Sequence, residues 1–499
     1  MALRLPGSHS TAWVLAETAV SAGFSLVSLL VIGRVIGPQE AGLGAASVAA
    51  FLLLDTFAST FTDALVQRPG LTLLEVRSAV TATALIGLAG GVLLAGTAPL
   101  LANGFGHPEA LLLLLALAPL LPLSGVSGAA AGVLMRDQRF RLLAMRVLVG
   151  QPLALVAGLL AAAGGAGAWA MVIAQAVATL ATFLLMLGFA RLPLRPVLDR
   201  GALRGLWPVA GPQIGAVVLT AGKYRLFLLV LGLLLTQAVL GQAHVAFRMV
   251  DAALFVVWGA MSRIAMPRLC ALQGDRAALA RCYGEVVQLP PLIGLPIALG
   301  VALVADDLVA ALLGPAWAGS AEAARIVALA ACFGFLHGDQ FSLFVAVGRA
   351  RWNMLAAVAN LALPMAVLLA FRPDTAAGAA LAWSAQSLLV TPVLAWLVMR
   401  TLSVSPLWLL RRAAPGLVAA AAMTAAVLPL QNAMADAAPL LRLLAAIALG
   451  AAVFVAVAWL ALGRRLPPAL LPRAAPSRGA GGDPSRGMRR PAELAAQNR

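Results

Sequence analysis

The sequence predicts an all-α integral membrane protein of about fourteen transmembrane helices, built as two six-helix lobes plus two extra C-terminal helices. Three observations carry this. Apolar residues make up 62% of the 499 residues and charged residues only 11%, about half the charge with which a soluble domain covers its surface. The apolar residues gather in about fourteen runs, each long enough to cross a ~30 Å hydrocarbon core. The basic residues then fall on alternate connections. With the N-terminus and the even-numbered connections on one side, that side carries 28 of the 35 Lys and Arg. The opposite connections carry three, Arg34, Arg372 and Arg442, while Lys223, Arg225, Arg248 and Arg325 lie within runs. By the positive-inside rule both termini are expected in the cytoplasm, with the chain a multi-pass protein of the bacterial inner membrane.

In order, the runs fall at about 12–33, 42–66, 78–101, 110–133, 147–164, 168–190, 206–234, 238–261, 286–304, 323–346, 352–371, 377–399, 413–431 and 440–462. The first reads as a retained span, since it contains Glu17, ends at Arg34 and is followed by no small-residue cleavage site. Six runs make an N-terminal lobe over 1–190. The connection 191–205 holds Arg191, Pro193, Arg195, Pro196, Asp199, Arg200 and Arg204 and predicts an exposed cytoplasmic loop between lobes. A second lobe follows over 206–400. Leu43–Ala49 (LGAASVA) and Leu240–Ala246 (LGQAHVA) match at five of seven positions, each opening the second run of its lobe, as in duplicated transporter bundles. Helices 13 and 14 occupy 401–463. The remainder, 464–499, is rich in Pro, Arg, Ala and Gly and predicts a disordered tail whose arginines meet anionic headgroups. On the arginine-poor side the connections are short. The longest, about 305–322, carries Asp306, Asp307 and a Leu313–Gly319 turn.

Several functions are excluded by composition. The net charge of +16 comes from short connections and the tail, where membrane topology alone predicts it, so nucleic acid is not an expected partner. Cys270, Cys282 and Cys332 show no metal-ligand spacing and read as inert thiols; no metal and no cofactor is expected. There is no phosphate loop, zinc spacing or nucleophile elbow, and His9, His107, His244 and His337 are scattered, which predicts that the chain is not an enzyme.

Charges inside the runs point to function. An ionisable residue within a span costs a few kcal/mol on insertion scales and asks for a partner, a wet cavity or a role. Run eight carries His244, Arg248 and Asp251 at i, i+4 and i+7, on one helical face that Trp258 continues. Run seven contributes Lys223 and Arg225. Two readings stand: a cationic cavity for an anionic headgroup, or mutual neutralisation of Arg248 and Asp251 with Lys223 and Arg225 reaching toward the interface. Arg34 either anchors the end of run one or rims the same cavity. Asp55, Ser59, Thr62 and Asp63 form a polar stripe on run two, for helix packing or, with Glu17, for a coupling cation or proton. His337 and Asp339 differ by two positions and are expected to satisfy separate partners.

Several loops carry a resemblance. Gly33-Arg34-Val35-Ile36-Gly37-Pro38-Gln39-Glu40-Ala41-Gly42-Leu43 is similar to the turn R-x-L-G-P-E-x-x-G-L of bacterial polysaccharide flippases. Leu134-Met135-Arg136-Asp137-Gln138-Arg139-Phe140-Arg141 resembles their L-x-R-x-x-x-F-R connection, and 241–248 with Met266-Pro267 their eighth span. The turn Leu312-Leu313-Gly314-Pro315-Ala316-Trp317 also fits. The aromatic residue often found two positions after the turn glycine is absent, with Gly44 and Ala243 in its place. Over about 1–400 the chain thus resembles the Wzx-like oligosaccharide flippases of the multidrug/oligosaccharidyl-lipid/polysaccharide exporter superfamily. The resemblance implies two lobes around an alternating-access cavity that moves an undecaprenyl-pyrophosphate-linked oligosaccharide outward, with a polysaccharide polymerase and chain-length machinery as partners. Lys223, Arg225, Arg248 and Arg34 would face the pyrophosphate. A lipid II flippase and a cation-coupled drug exporter of the same superfamily are the nearest alternatives; the exporter should favour acidic groups in its cavity. A membrane glycan polymerase or ligase should show a large arginine-bearing loop on the arginine-poor side, and a passive scaffold has no use for deep charges.

Overall fold

The computed structural model describes residues 8–190, 195–272, 274–465 and 467, without the side chains of 8–16, 18, 19, 22, 255, 256, 258–260 and 262–264. The expected tail and Trp258 therefore lie outside the described residues and side chains. Within them every regular element is helical. In chain order these are α1 (Ser8–Ala58), α2 (Thr62–Gln67), α3 (Leu73–Phe105), α4 (Ala110–Leu117), α5 (Leu120–Arg136), α6 (Phe140–Ala163), α7 (Trp169–Ala190), α8 (Arg200–Val217), α9 (Lys223–Leu234) and α10 (Gln237–Cys270). There follow α11 (Arg276–Val286), α12 (Leu289–Leu312), α13 (Ala318–Gly334), α14 (Gln340–Ala346), α15 (Arg351–Phe371), α16 (Ala376–Leu402), α17 (Pro406–Ala433) and α18 (Pro439–Ala461).

Among the described residues twelve helical stretches are long and apolar enough to cross a membrane. One of them, Gly23–Gln67, holds two of the apolar runs. A straight helix of the 51 residues of α1 would be about 77 Å long, more than twice the hydrocarbon core. It breaks at Gly37, whose φ of 80° and ψ of 169° are open to glycine and strained for any L side chain. The two arms fold back on each other: Ser25 and Ala49, which a straight helix would hold about 36 Å apart, line one cavity. With both arms counted and α10 added, each of the fourteen runs finds a helix.

Several runs are interrupted helices. Run four divides into α4 and α5 at Pro119, which has no N–H to continue the ladder. Run seven passes from α8 to α9 through a π-helical turn, Val218–Gly222. Run ten divides into α13 and α14. There Asp339 caps α14, accepting from the Ser342 N–H at 3.2 Å and its hydroxyl at 2.6 Å. His337 is buried nearby, with its Nδ1 3.1 Å from the Gly338 carbonyl, so the two residues serve separate partners.

Two expected loops are shorter than the sequence suggested. In the 191–205 connection, α8 already begins at Arg200, because Asp199 caps it by accepting from the Ala202 N–H at 2.6 Å. In the 305–322 connection, α12 runs on to Leu312, because Asp306 and Asp307 are held by Arg325 and Arg442. Only Leu313–Trp317 is left for the turn.

Helices α1, α3, α5, α6 and α7 pack as one group and α10, α12, α13 and α16 as another, while α17 and α18 pair and lie against α12. The groups meet mainly where the second arm of α1 crosses α10 near the arginine-poor end. This crossing is a glycine contact. A Cβ on Gly42 would overlap the Gln237 carbonyl, and one on Gly241 would overlap the Pro38 carbonyl.

Candidate functional site

A cavity of about 390 Å³ opens where α1, α6, α7, α9 and α10 converge. Its walls are largely small: Ala45, Ala49, Ala154, Ala174 and Ala178 leave the space that larger side chains would fill. Its polar groups are Ser25 and Ser28 from the first arm of α1, Gln151, Gln175, Tyr224, His244, and the two guanidinium groups of Arg225 and Arg248. No carboxylate is among its lining residues. A second space of about 200 Å³, lined by Ser21, Arg146, Gly150 and Thr182, shares Gln151 and Ala178 with the first. Together they form a polar track from Arg146, near the arginine-rich start of α6, to the centre of the bundle.

Each cavity arginine is anchored by one nitrogen. Arg225 Nη1 donates to the Leu52 carbonyl and to the Thr56 hydroxyl, both at 2.5 Å, on the second arm of α1. Arg248 Nη2 donates to the Ser25 hydroxyl at 2.6 Å on the first arm. Each thus bridges α9 or α10 to α1, and the remaining guanidinium N–H groups make no hydrogen bond to a described residue. His244 Nδ1 lies 2.9 Å from the Tyr224 hydroxyl, which holds the imidazole at the wall.

The other predicted residues separate. Lys223 is absent from the lining: its Nζ donates to Gln386 Oε1 at 2.8 Å and lies 5.4 Å from the Trp383 ring centre, on α16. Two positions along a helix are about 200° of rotation, so Lys223 and Arg225 point to opposite sides of α9. Arg34 does not rim the cavity either. It is exposed and donates to the Ala311 and Leu312 carbonyls at 3.2 and 3.0 Å, the free end of α12, where a cation complements the helix dipole. Asp251 is exposed and absent from the cavity lining, and no described residue forms an ion pair with it, although it stays near enough to Arg248 and Lys223 for their charges to act on it.

The stripe on run two is also divided. Ser124 donates to Asp55, and Thr62 donates to the Gly128 carbonyl at 3.0 Å, both across to α5. Asp63 is exposed and faces a small space beside Gln213 and Val217 of the α8 segment. The turn at Ser59–Phe61 breaks the helix, yet Ser59, Thr62 and Asp63 still line that one space, while Asp55 turns to Ser124. Glu17 forms an ion pair with Arg146 at 3.1 Å, at the arginine-rich mouth of the track.

Sequence reasoning missed Arg146, Gln151, Gln175 and Ser25 as neighbours of the cavity arginines, and Gln386 and Trp383 as partners of Lys223. One signal was available for Lys223, since it is the only lysine in a chain with 34 arginines.

With the geometry in place, comparison with known proteins decides the family. Residues 31–322 match the model of a family described as polysaccharide biosynthesis protein. The chain belongs to that family. No curated protein matches it by sequence. In fold, this polysaccharide biosynthesis protein is similar to the lipid II flippase MurJ in an inward closed conformation: TM-score 0.70, 13% identity, covering 90% of this chain and 98% of that one. It is similar also to a multidrug resistance MATE family transporter of the MOP superfamily in its inward-facing conformation, with a TM-score of 0.64 and 14% identity, covering 78% and 98%. A MOP superfamily transporter from Pyrococcus furiosus, whose binding pocket is described as having reverse polarity, aligns at a TM-score of 0.50 and 14% identity, covering 80% and 97%. At these identities the likeness is one of fold. Family and fold together make the chain a many-spanning membrane protein of that polysaccharide biosynthesis family, with the fold seen in transporters of the MOP superfamily.

Proposed function

We propose that the protein carries an undecaprenyl-pyrophosphate-linked oligosaccharide, a repeat unit of exopolysaccharide, O-antigen or capsule, from the arginine-rich to the arginine-poor face of a bacterial inner membrane. One observation carries the reading: the central cavity presents Arg225 and Arg248 with no carboxylate among its lining residues. A pyrophosphate cannot enter hydrocarbon unaided. Guanidinium groups replace its hydration with charge-assisted hydrogen bonds in fork geometry. The space of about 390 Å³ is that of a small-ligand site. It suits the pyrophosphate and the first sugar, with the polyprenyl chain left in lipid. The track past Gln151 toward Arg146 is the entrance on the arginine-rich side, which the positive-inside rule makes cytoplasmic, together with both termini. A polymerase and chain-length machinery would then receive the flipped unit.

Cationic drugs would find the wrong sign of charge in this cavity. A lipid II flippase would use the same cations, since it moves the same kind of pyrophosphate, and is told apart by which lipid is stranded. Deleting the gene and analysing face-labelled lipids tests the proposal. Undecaprenyl-linked oligosaccharide should collect on the cytoplasmic face and return to normal with the intact gene, while Arg225→Gln and Arg248→Gln should fail to restore export although inserted normally. Accumulation of lipid II instead selects the alternative, and normal surface glycan with no stranded lipid refutes both.

A further inference from the structure

A second cavity, of about 510 Å³, lies far along the chain from the transport site, between α12, α13, α17 and α18. It is polar at one level and apolar at the next. Asp306, Asp307, Arg325, Gln431, Asn432 and Arg442 line it within about two turns of the arginine-poor ends of their helices. Leu299, Leu303, Leu329 and Leu428 line it about a turn deeper. Leu329 and Leu428 are 42% and 47% exposed, so the deeper part opens toward lipid. Arg325 and Arg442, two of the four arginines that the sequence assigns to this end, are gathered here, and nothing in the transport reading uses them.

The polar groups differ in how fully they are engaged. Asp307 is buried, and Arg442 grips it with Nε at 2.8 Å and Nη2 at 2.6 Å while Nη1 donates to the Ala435 carbonyl at 2.7 Å. This is a finished wall that ties α18 to α12. The mouth is unfinished. Asp306 pairs with Arg325 yet keeps 71% of its side chain exposed. Arg325 uses Nη2 for Asp306 and Nε for the Ala302 carbonyl at 3.4 Å. Its Nη1 and the Asn432 amide have no partner among the described residues.

Two carboxylates and two guanidinium groups sum to no net charge, so a ligand with a large charge of either sign gains little. A zwitterion gains at both ends. From this arrangement we propose that the cavity holds the headgroup of a zwitterionic phospholipid of the leaflet at the arginine-poor face. Its ammonium meets Asp306, and its phosphate meets Arg325 Nη1 and the Asn432 amide. Its acyl chains descend along Leu329 and Leu428. A free sugar would satisfy the polar mouth but leave the apolar floor uncovered.

Native mass spectrometry of the intact protein, delipidated in detergent and titrated with dioctanoyl phosphatidylethanolamine or dioctanoyl phosphatidylglycerol, tests this. The ethanolamine lipid should bind at one site about fivefold more tightly than the glycerol lipid, the scale of one exposed ion pair. Asp306→Asn should remove that preference, and Asn432→Ala should weaken both lipids, each variant keeping the unfolding midpoint of the lipid-free protein. Arg225→Gln should leave the preference unchanged, which separates this site from the transport reading. Equal binding of the two lipids, a preference that survives Asp306→Asn, or retention of a soluble oligosaccharide in place of lipid overturns the proposal.

Discussion

At the scale of single residues, the difference between Lys223 and Arg225 is one of direction. Both are cations deep in the same run, but the 200° between them sends Arg225 to the cavity and Lys223 to Gln386. Arg225→Gln or Arg248→Gln should therefore lower transport at least about tenfold, each removing a charge-assisted contact with phosphate worth roughly 1.5–3 kcal/mol. Lys223→Gln, which keeps an amide donor for Gln386, should retain most of the activity; transport in inverted vesicles separates the three. Arg34 belongs with structure. Arg34→Gln frees the last carbonyls of α12 and should cost about 1 kcal/mol, seen as a fall in the thermal unfolding midpoint with transport intact. These residues were legible as unusual because charge is rare in apolar runs. Their roles were not, because the partners Ser25, Thr56, Gln386 and the α12 carbonyls lie 163 to 278 positions away and leave no local trace.

At the scale of elements, small residues decide how closely helices approach. Gly42 and Gly241 let the second arm of α1 and α10 touch backbone to backbone, the close packing by which membrane helices associate. Gly42→Ala should destabilise the protein by about 1–3 kcal/mol, as overpacking does. Gly96→Ala on α3, where an added Cβ meets nothing within 4 Å, should be neutral or slightly stabilising. Thermal unfolding in detergent compares the two. The repeated LG motif marked both segments, as LGAASVA after Gly42 and as LGQAHVA around Gly241, but not that they cross. The length of the apolar stretches located every run, whereas the breaks at Gly37, Ser59–Phe61, Pro119 and Val218–Gly222 depend on packing that hydropathy averages away.

At the scale of the whole molecule, the proposed transport would require the two helix groups to move against each other, and α9 packs against α1 and α3 while Arg225 and Arg248 tie α9 and α10 to α1. A ligand that draws these guanidinium groups off α1 weakens the ties between groups, which gives binding a way to favour the other state. A Cβ on Gly232 would stand 3.2 Å from that of Ala46, a little under the roughly 3.5–4.5 Å of a disulfide, so a small outward shift would let one form. Ala46→Cys with Gly232→Cys, in a chain lacking Cys270, Cys282 and Cys332, should transport when reduced and stop when oxidised. Recovery of transport after reductant is the control. Transport that continues with the disulfide formed would show that α1 and α9 move as one body.

The sequence by itself determined that the chain is a many-spanning membrane protein and which ends of its helices share a side, because both follow from local quantities: the length of each apolar run and the count of arginines in each connection. It also marked the family, through turn motifs that are read along the chain. Only the tertiary structure decided that Arg225 and Arg248 meet in one cavity, that Lys223 and Arg34 turn away from it, and that Asp307 and Arg442 join α12 to the final helix pair beside a separate cavity. A side chain's direction depends on helix rotation to within tens of degrees and on neighbours distant in sequence, and neither quantity is written in any single stretch of residues.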